Sequence, residues 1–417
     1  MKQLRSGMRY GPPWPVAALN AFGPALRAAR LFPKIADPAL LSPVETMSGR
    51  SDRSSPWMKE ARRVRFQSFD QDAQLSLFGA LAVRAQARRC FKNTLEFDRL
   101  IDAHPEIEHE EIKRPLFVIG WPRTGTTLLQ RLLCLHREAR FLPVWEAYSI
   151  LSEDGGRTLD LAERRRRAQR AINLLKWLAP DLKAIHPMDL DDPDECYHLF
   201  RNYFAMPGGW DFAHLSSYWK WFESQSAIPA YEVHKRQLQI LQWRDRRGHW
   251  VLKSPQHLSG LPALLQVYPD ARIICTHRDP VEAVSSYCSL VAVAWGMTSD
   301  AIDLKKVADY VLTTTATSLK AARVALRSIP ENQVYHVKYT DLTRDPLRTI
   351  TSIYSHFAYP RDDDLAARIR SWLDANPANR NGGHKYDLAD FGLTVRDVER
   401  ATEGECNTQF EEIWGAG

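Results

Sequence analysis

Leu116-Phe-Val-Ile-Gly120-Trp-Pro-Arg-Thr-Gly125-Thr-Thr127 is the stretch whose reading decides the fold. The unbroken apolar run Leu116–Ile119 suits a strand buried on both faces, as in a parallel sheet covered by helices. A Gly/Thr turn ends it, and Thr127–His136 continues with helical periodicity. Strand, glycine-bearing loop and helix in that order build an anion site. Backbone N–H groups of the loop and the helix N-terminus converge on one point and favour a phosphate or sulfate group there.

The loop fits G-x-x-x-x-G-K-[ST] except that Thr126 stands where nucleotide triphosphatases carry lysine. That lysine normally bridges the β- and γ-phosphates, and the sequence offers no hydrophobic strand ending in an acidic residue for a magnesium contact. A donor with a shorter charged tail fits such a loop better, and Arg123 inside it supplies a cation. Downstream, Arg272-Ile-Ile-Cys-Thr-His-Arg-Asp-Pro280 reads as a second strand closing on an Arg-Asp-Pro turn, with Ser286 on the following helix.

Taken together, these two motifs resemble those of sulfotransferases that use 3′-phosphoadenosine 5′-phosphosulfate (PAPS), in the bacterial group related to tyrosylprotein sulfotransferases. The resemblance spans roughly Arg114 to Leu393. It implies that Pro122, Arg123, Thr124, Gly125, Thr126 and Thr127 cradle the 5′-phosphosulfate, and that Arg278 and Ser286 hold the 3′-phosphate. Val251-Leu-Lys253-Ser-Pro255 resembles the strand end that presents a lysine to the transferring group. Tyr339-Thr-Asp341-Leu resembles a further family segment, and His384-Lys385-Tyr386 resembles the C-terminal loop that closes over the 3′-phosphate. PAPS is then the co-substrate, its desulfated form PAP the product, and no metal is expected. Many members are dimers, so a homodimer is compatible with the resemblance.

The implied fold class is α/β: a P-loop-type three-layer fold with a central parallel sheet. Trp250–Lys253, Arg272–Thr276 and Val334–Val337 are its other expected strands. Residues 1–113 read as a helical N-terminal extension, with Ser55–His104 periodic as helix. Residues 114–417 form the main domain, with a helical insertion at about 152–249 over the sheet's carboxyl edge, where open α/β sheets bind ligands.

Sulfuryl transfer needs cations where charge develops and a base for the acceptor's proton. Arg123 and Lys253 are the expected cations. Glu146, in Pro143-Val-Trp-Glu146, occupies the place where the tyrosylprotein group and its bacterial relatives carry a catalytic glutamate. His186 and His257 are the rival bases, with His186 just ahead of the acidic stretch Asp189–Glu195; Glu195 orients an acceptor or pairs with arginine. The Arg164–Arg167 run reads as a solvated helix face, and the tryptophans from Trp210 to Trp221 as packing or an acceptor groove.

Composition narrows the alternatives. The 417 residues are 44% hydrophobic and 25% charged, with a net charge of +6. That suits a globular protein with an anionic ligand and is too mild to indicate nucleic acid. Six scattered cysteines without a CxxC pair read as reduced thiols. With no apolar run of membrane-spanning length and no visible signal peptide, a cytoplasmic enzyme acting on a small-molecule, carbohydrate or lipid acceptor is expected. Pro15–Phe32 reads as a short packed helix or a peripheral membrane contact. Two other functions compete: a nucleotide kinase or NTPase with an altered loop, and a non-catalytic nucleotide-binding protein.

Overall fold

The structure is a computed structural model that describes residues 2–4, 9–151, 160–182, 188–207, 211–377 and 387–402. Its centre is a five-stranded sheet: β1 Leu116–Gly120, β2 Ala139–Arg140, β3 His249–Lys253, β4 Arg272–His277 and β5 Val334–Lys338. The order is β2-β3-β1-β4-β5, and every pairing is parallel. From β1 the chain passes to β2 and β3 on one side, then crosses to β4 and β5 on the other. The switch point, where a crevice opens between diverging connections, therefore lies at the carboxyl end of β1.

Alternation along the strands divides the core in two. Leu116, Val118, Val251 and Ile274 face one layer; Phe117, Ile119, Leu252 and Ile273 face the other. The first layer holds α3 (Thr126–Leu133), through Leu129, Leu132 and Leu133, and α12 (Pro346–His356), through Ile350 and Ile353. The second holds α1 (Pro56–Gln71), α2 (Leu77–Ala103), α8 (Ile228–Arg244), α10 (Pro280–Gly296) and α11 (Leu304–Leu326). Each fully buried Leu, Ile or Phe contributes roughly 1.5–3 kcal/mol, so burial on both faces makes the strands the most tightly held part of the chain. The P-loop-type α/β class expected from sequence is the observed one.

Helix starts follow local chemistry. Ser55 caps α1 ahead of Pro56, and Asp279 accepts from the N–H groups of Val281 and Glu282 at the start of α10. The described part of the insertion is helical: α4 (Val144–Tyr148) leads to α5 (Leu161–Leu178), α6 (Tyr197–Asn202), α7 (Ser216–Glu223) and α8. A buried pair, Arg65 of α1 with Asp211, ties it to the N-terminal helices.

One sequence expectation changes and another narrows. The Arg164–Arg167 run is not one solvated face, because Arg164 is 2% exposed and donates to Glu146 and to the carbonyl of Ser149. Trp221 packs on Trp57 at 5.6 Å between ring centroids, so this aromatic side chain is spent on helix packing. Trp210 lies outside the described residues.

Candidate active site

The loop after β1 is forced into shape by its neighbours. Gly120 pairs in register with Thr276 of β4, and a Cβ at Gly120 would collide with the Thr276 hydroxyl. The hydroxyls of Thr124 and Thr276 are 2.6 Å apart, and Thr124 also donates to the Trp121 carbonyl at 2.6 Å. Arg123 and Gly125 both have positive φ, +73° and +89°. For arginine this is a strained conformation, tolerated when surrounding contacts over-determine it. Here Arg278 Nη1 donates to the Arg123 carbonyl at 3.0 Å.

The second motif closes on the first. Asp279 and Pro280 start α10, which carries Ser286, and Arg123 Nε donates to Ser286 Oγ at 2.9 Å. Arg278 Cζ lies 4.1 Å from the Tyr339 ring centroid, in cation–π range. The same ring occupies the space where Gly125 lacks a side chain, since a Cβ there would come 2.8 Å from Tyr339 Cδ2. Arg123, Gly125, Arg278, Ser286 and Tyr339, from four separate segments, meet at the switch point. A cavity of about 610 Å³ runs from Gly120, Trp121 and Arg278 beneath α11, past Leu319, Leu326 and Ile329.

Lys253, at the end of β3, is 2% exposed and donates through Nζ to Glu195 Oε1 at 2.6 Å. A buried ammonium requires such a partner, because desolvation of an unpaired charge is costly. The Lys253 carbonyl also accepts from the N–H of Cys196 at 2.9 Å. Glu195, expected to orient an acceptor or pair with arginine, has a lysine as its partner. Two more carboxylates of the acidic stretch are paired, Asp191 with Arg165 and Asp192 with Arg131, both at 2.5 Å.

Glu146 lies at the N-terminal turn of α4, beside this stretch: Val144 and Trp145 donate to the carbonyls of Asp192 and Leu190. Its carboxylate is 6% exposed and divided between two guanidiniums, Arg140 Nη2 at 2.5 Å on Oε2 and Arg164 Nη2 at 3.4 Å on Oε1. Both oxygens thus have guanidinium partners. His257 is fully buried with Nδ1 2.9 Å from the Tyr231 hydroxyl, so it is a core histidine and not a base open to an acceptor. His186, His384, Lys385 and Tyr386 lie outside the described residues.

Sequence reasoning missed two participants. Thr276 locks the loop, but its only sign was a hydroxyl at a strand end. Glu282, on the first turn of α10, accepts from Arg278 Nε and Nη2 at 3.0 and 2.8 Å, an i,i+4 partner legible from spacing.

Comparison with known proteins gives the family and the fold. The family model described as the sulfotransferase family matches residues 115–363. The omega-hydroxy-beta-dihydromenaquinone-9 sulfotransferase Stf3 of Mycobacterium bovis is 25% identical over 333 residues, covering 72% of this chain and 73% of the relative. The crystal structure of sulfotransferase STF1 from Mycobacterium tuberculosis H37Rv aligns with a TM-score of 0.75 at 29% identity, over 89% of this chain and 100% of that one. That of sulfotransferase STF9 from Mycobacterium avium gives a TM-score of 0.75 at 25% identity, over 92% and 97%.

Proposed function

The chain belongs to the sulfotransferase family and is an enzyme of sulfuryl transfer; on that premise we propose that its donor is PAPS, held across the switch point, and its acceptor a hydroxyl on a largely apolar small molecule or lipid. The observation that carries this reading is the contact of Arg123 with both Ser286 and Arg278, beside the cavity that Arg278 lines. Backbone N–H groups of Pro122–Thr127 (proline excepted) and the N-terminus of α3 suit the 5′-phosphosulfate. Arg278 and Ser286, with Tyr339 against the guanidinium, suit the 3′-phosphate.

In the proposed step the acceptor oxygen attacks sulfur in line, an S–O bond forms, and the bond from sulfur to the 5′-phosphate oxygen breaks to release PAP. Charge grows on that bridging oxygen, where Arg123 and Lys253 supply cations. The acceptor's proton passes to a carboxylate. Support for this role moves from Glu146 to Glu195, which bonds Lys253 Nζ and keeps some exposure, whereas both Glu146 oxygens are held by guanidiniums. A carboxylate that steers both lysine and acceptor hydroxyl explains why this lysine is buried beside it.

The apolar acceptor draws on the relative that acts on a dihydromenaquinone and on the Leu319, Leu326 and Ile329 wall of the cavity. Among the described residues no helix is long and apolar enough to cross a membrane. A peripheral lipid contact is supported by the short helices Trp14–Asn20 and Gly23–Ala28, where Trp14 and Phe22 are 80% and 66% exposed with Arg27 nearby. Vesicle co-sedimentation that is unchanged in Trp14→Glu/Phe22→Glu would remove that contact.

Titration calorimetry with PAP, using ATP plus Mg²⁺ and AMP as competitors, tests the donor. Selective PAP binding that needs no added metal is expected. A preference for ATP that depends on Mg²⁺ would instead make this an altered nucleotide kinase.

A further inference from the structure

Beneath the Lys253–Glu195 pair sits a cluster that the transfer chemistry does not use. Cys196 precedes α6, His234 lies in α8, and His257 lies on the short helix Gln256–Ser259 (α9) after β3. One ligand atom from each falls within 4.8 Å of the others. All three are buried, at 1%, 0% and 0% exposure.

The two imidazoles are prepared alike. His234 Nδ1 lies 2.8 Å from the Tyr268 hydroxyl, and His257 Nδ1 lies 2.9 Å from the Tyr231 hydroxyl. In each ring the other nitrogen, Nε2, is buried without a hydrogen-bond partner. Two orphaned nitrogens buried side by side are expensive, since buried polar groups are almost always satisfied. With Nδ1–H donating to the tyrosine oxygen, Nε2 keeps its lone pair, as a histidine metal ligand requires. Phe117 and Phe200 pack on these rings at centroid distances of 5.0 Å, so the surroundings are apolar.

We infer that Cys196, His234 and His257 bind a zinc ion. Thiolate and imidazole ligands select a borderline-soft cation over magnesium or calcium, and a tetrahedral d¹⁰ ion accepts three protein ligands with water as the fourth. Binding displaces the thiol proton to solvent and joins one thiolate and two neutral imidazoles to Zn²⁺, with no change of oxidation state. The second cluster, Cys275, His277 and His336, differs: its two rings satisfy each other, His277 Nε2 lying 2.7 Å from His336 Nδ1.

Such an ion would staple α6 and α8 of the insertion to the turn after β3. Glu195 adjoins Cys196, and the Cys196 N–H bonds the Lys253 carbonyl, so the staple would hold the Lys253–Glu195 pair in register. The site is closed, and the metal is expected to enter as the chain folds.

The full chain, produced with a tag that lacks histidine in zinc-supplemented medium, should carry one zinc ion per chain by mass spectrometry of the metal. Cys196→Ser and His234→Gln should each lose most of it. Unfolding and refolding the wild type with Co²⁺ should give tetrahedral visible bands and a thiolate-to-cobalt charge-transfer band, and Cys196→Ser should abolish the latter. Wild-type protein with only trace zinc and no charge-transfer band overturns the site. So does a folded Cys196→Ser protein with undiminished zinc. If a variant fails to fold, the wild-type stoichiometry and cobalt spectrum decide alone. None of these readouts depends on the donor or on turnover.

Discussion

Arg123 Nε donates to Ser286 Oγ at 2.9 Å across 163 positions of sequence, while the Arg123 carbonyl accepts from Arg278 Nη1. The two phosphate motifs are therefore one mechanical unit: Arg278 both faces the crevice and holds Arg123 at φ +73°. Truncating it removes a charged donor and releases the loop. A charge-assisted hydrogen bond contributes about 1.5–3 kcal/mol, so Arg278→Ala is expected to weaken PAP about 10- to 100-fold in calorimetry. Arg123→Ala and Ser286→Ala should be non-additive when combined, because each removes the other's partner. Additive losses would mean that the two motifs act independently.

Glu282 competes with the ligand. Its carboxylate binds Arg278 Nε and Nη2 but is largely exposed, so the pair is screened by water. An exposed i,i+4 pair is worth about 0.3–0.5 kcal/mol. Glu282→Gln frees the guanidinium for a dianion and should tighten PAP by about twofold, with turnover little changed. Weaker binding would show that Glu282 orients Arg278 instead of opposing the phosphate.

How far the sequence carries depends on whether a signal is local. Leu116–Ile119 announces a doubly buried strand, and Asp279-Pro280 announces a helix start, because each is set by its own residues. Ala139–Arg140 announces nothing: two residues have no period, and the strand exists because β3 offers an edge. The Lys253–Glu195 pair spans 58 positions, and only the antiparallel run of 192–194 beside 142–144 brings that stretch alongside Glu146. Arg164 sits in a run of four arginines, and its own residue type gives no sign that it alone turns inward to Glu146. Local pattern thus reveals strands, loop and caps, whereas the partner of a buried charge is decided by packing.

Gly125 offers a test of the loop separate from charge. An added Cβ would meet the Tyr339 ring at 2.8 Å and would also sit at φ +89°. Backbone strain of this kind costs about 1–3 kcal/mol, and displacing Tyr339 disturbs its stacking on Arg278. Gly125→Ala is expected to lower the thermal midpoint and to weaken PAP at least tenfold. Gly49, which ends the helix Ser42–Ser48 at φ +66° with nothing within 4 Å of a new Cβ, is the control. Gly49→Ala should lower the midpoint alone. Equal PAP affinity in the two variants would detach Tyr339 from the donor site.

The two glutamates separate structure from chemistry. Glu146 is buried between Arg140 and Arg164, and breaking a buried charge cluster by removing one partner typically costs about 3–5 kcal/mol. Glu146→Ala should therefore lose stability first, seen as a lower urea midpoint, with residual folded enzyme turning over near the wild-type rate. Glu195 differs because its Oε1 touches Lys253 Nζ at the strand end that the transfer reaction needs. Glu195→Gln keeps the shape and an acceptor for the ammonium but cannot take a proton, so turnover should fall about 100-fold or more with PAP affinity retained. Lys253→Met should lower turnover similarly by removing the cation. If Glu195→Gln turns over like wild type while Glu146→Gln, still folded, does not, the proton goes to Glu146, and Arg140 and Arg164 are its tuning groups.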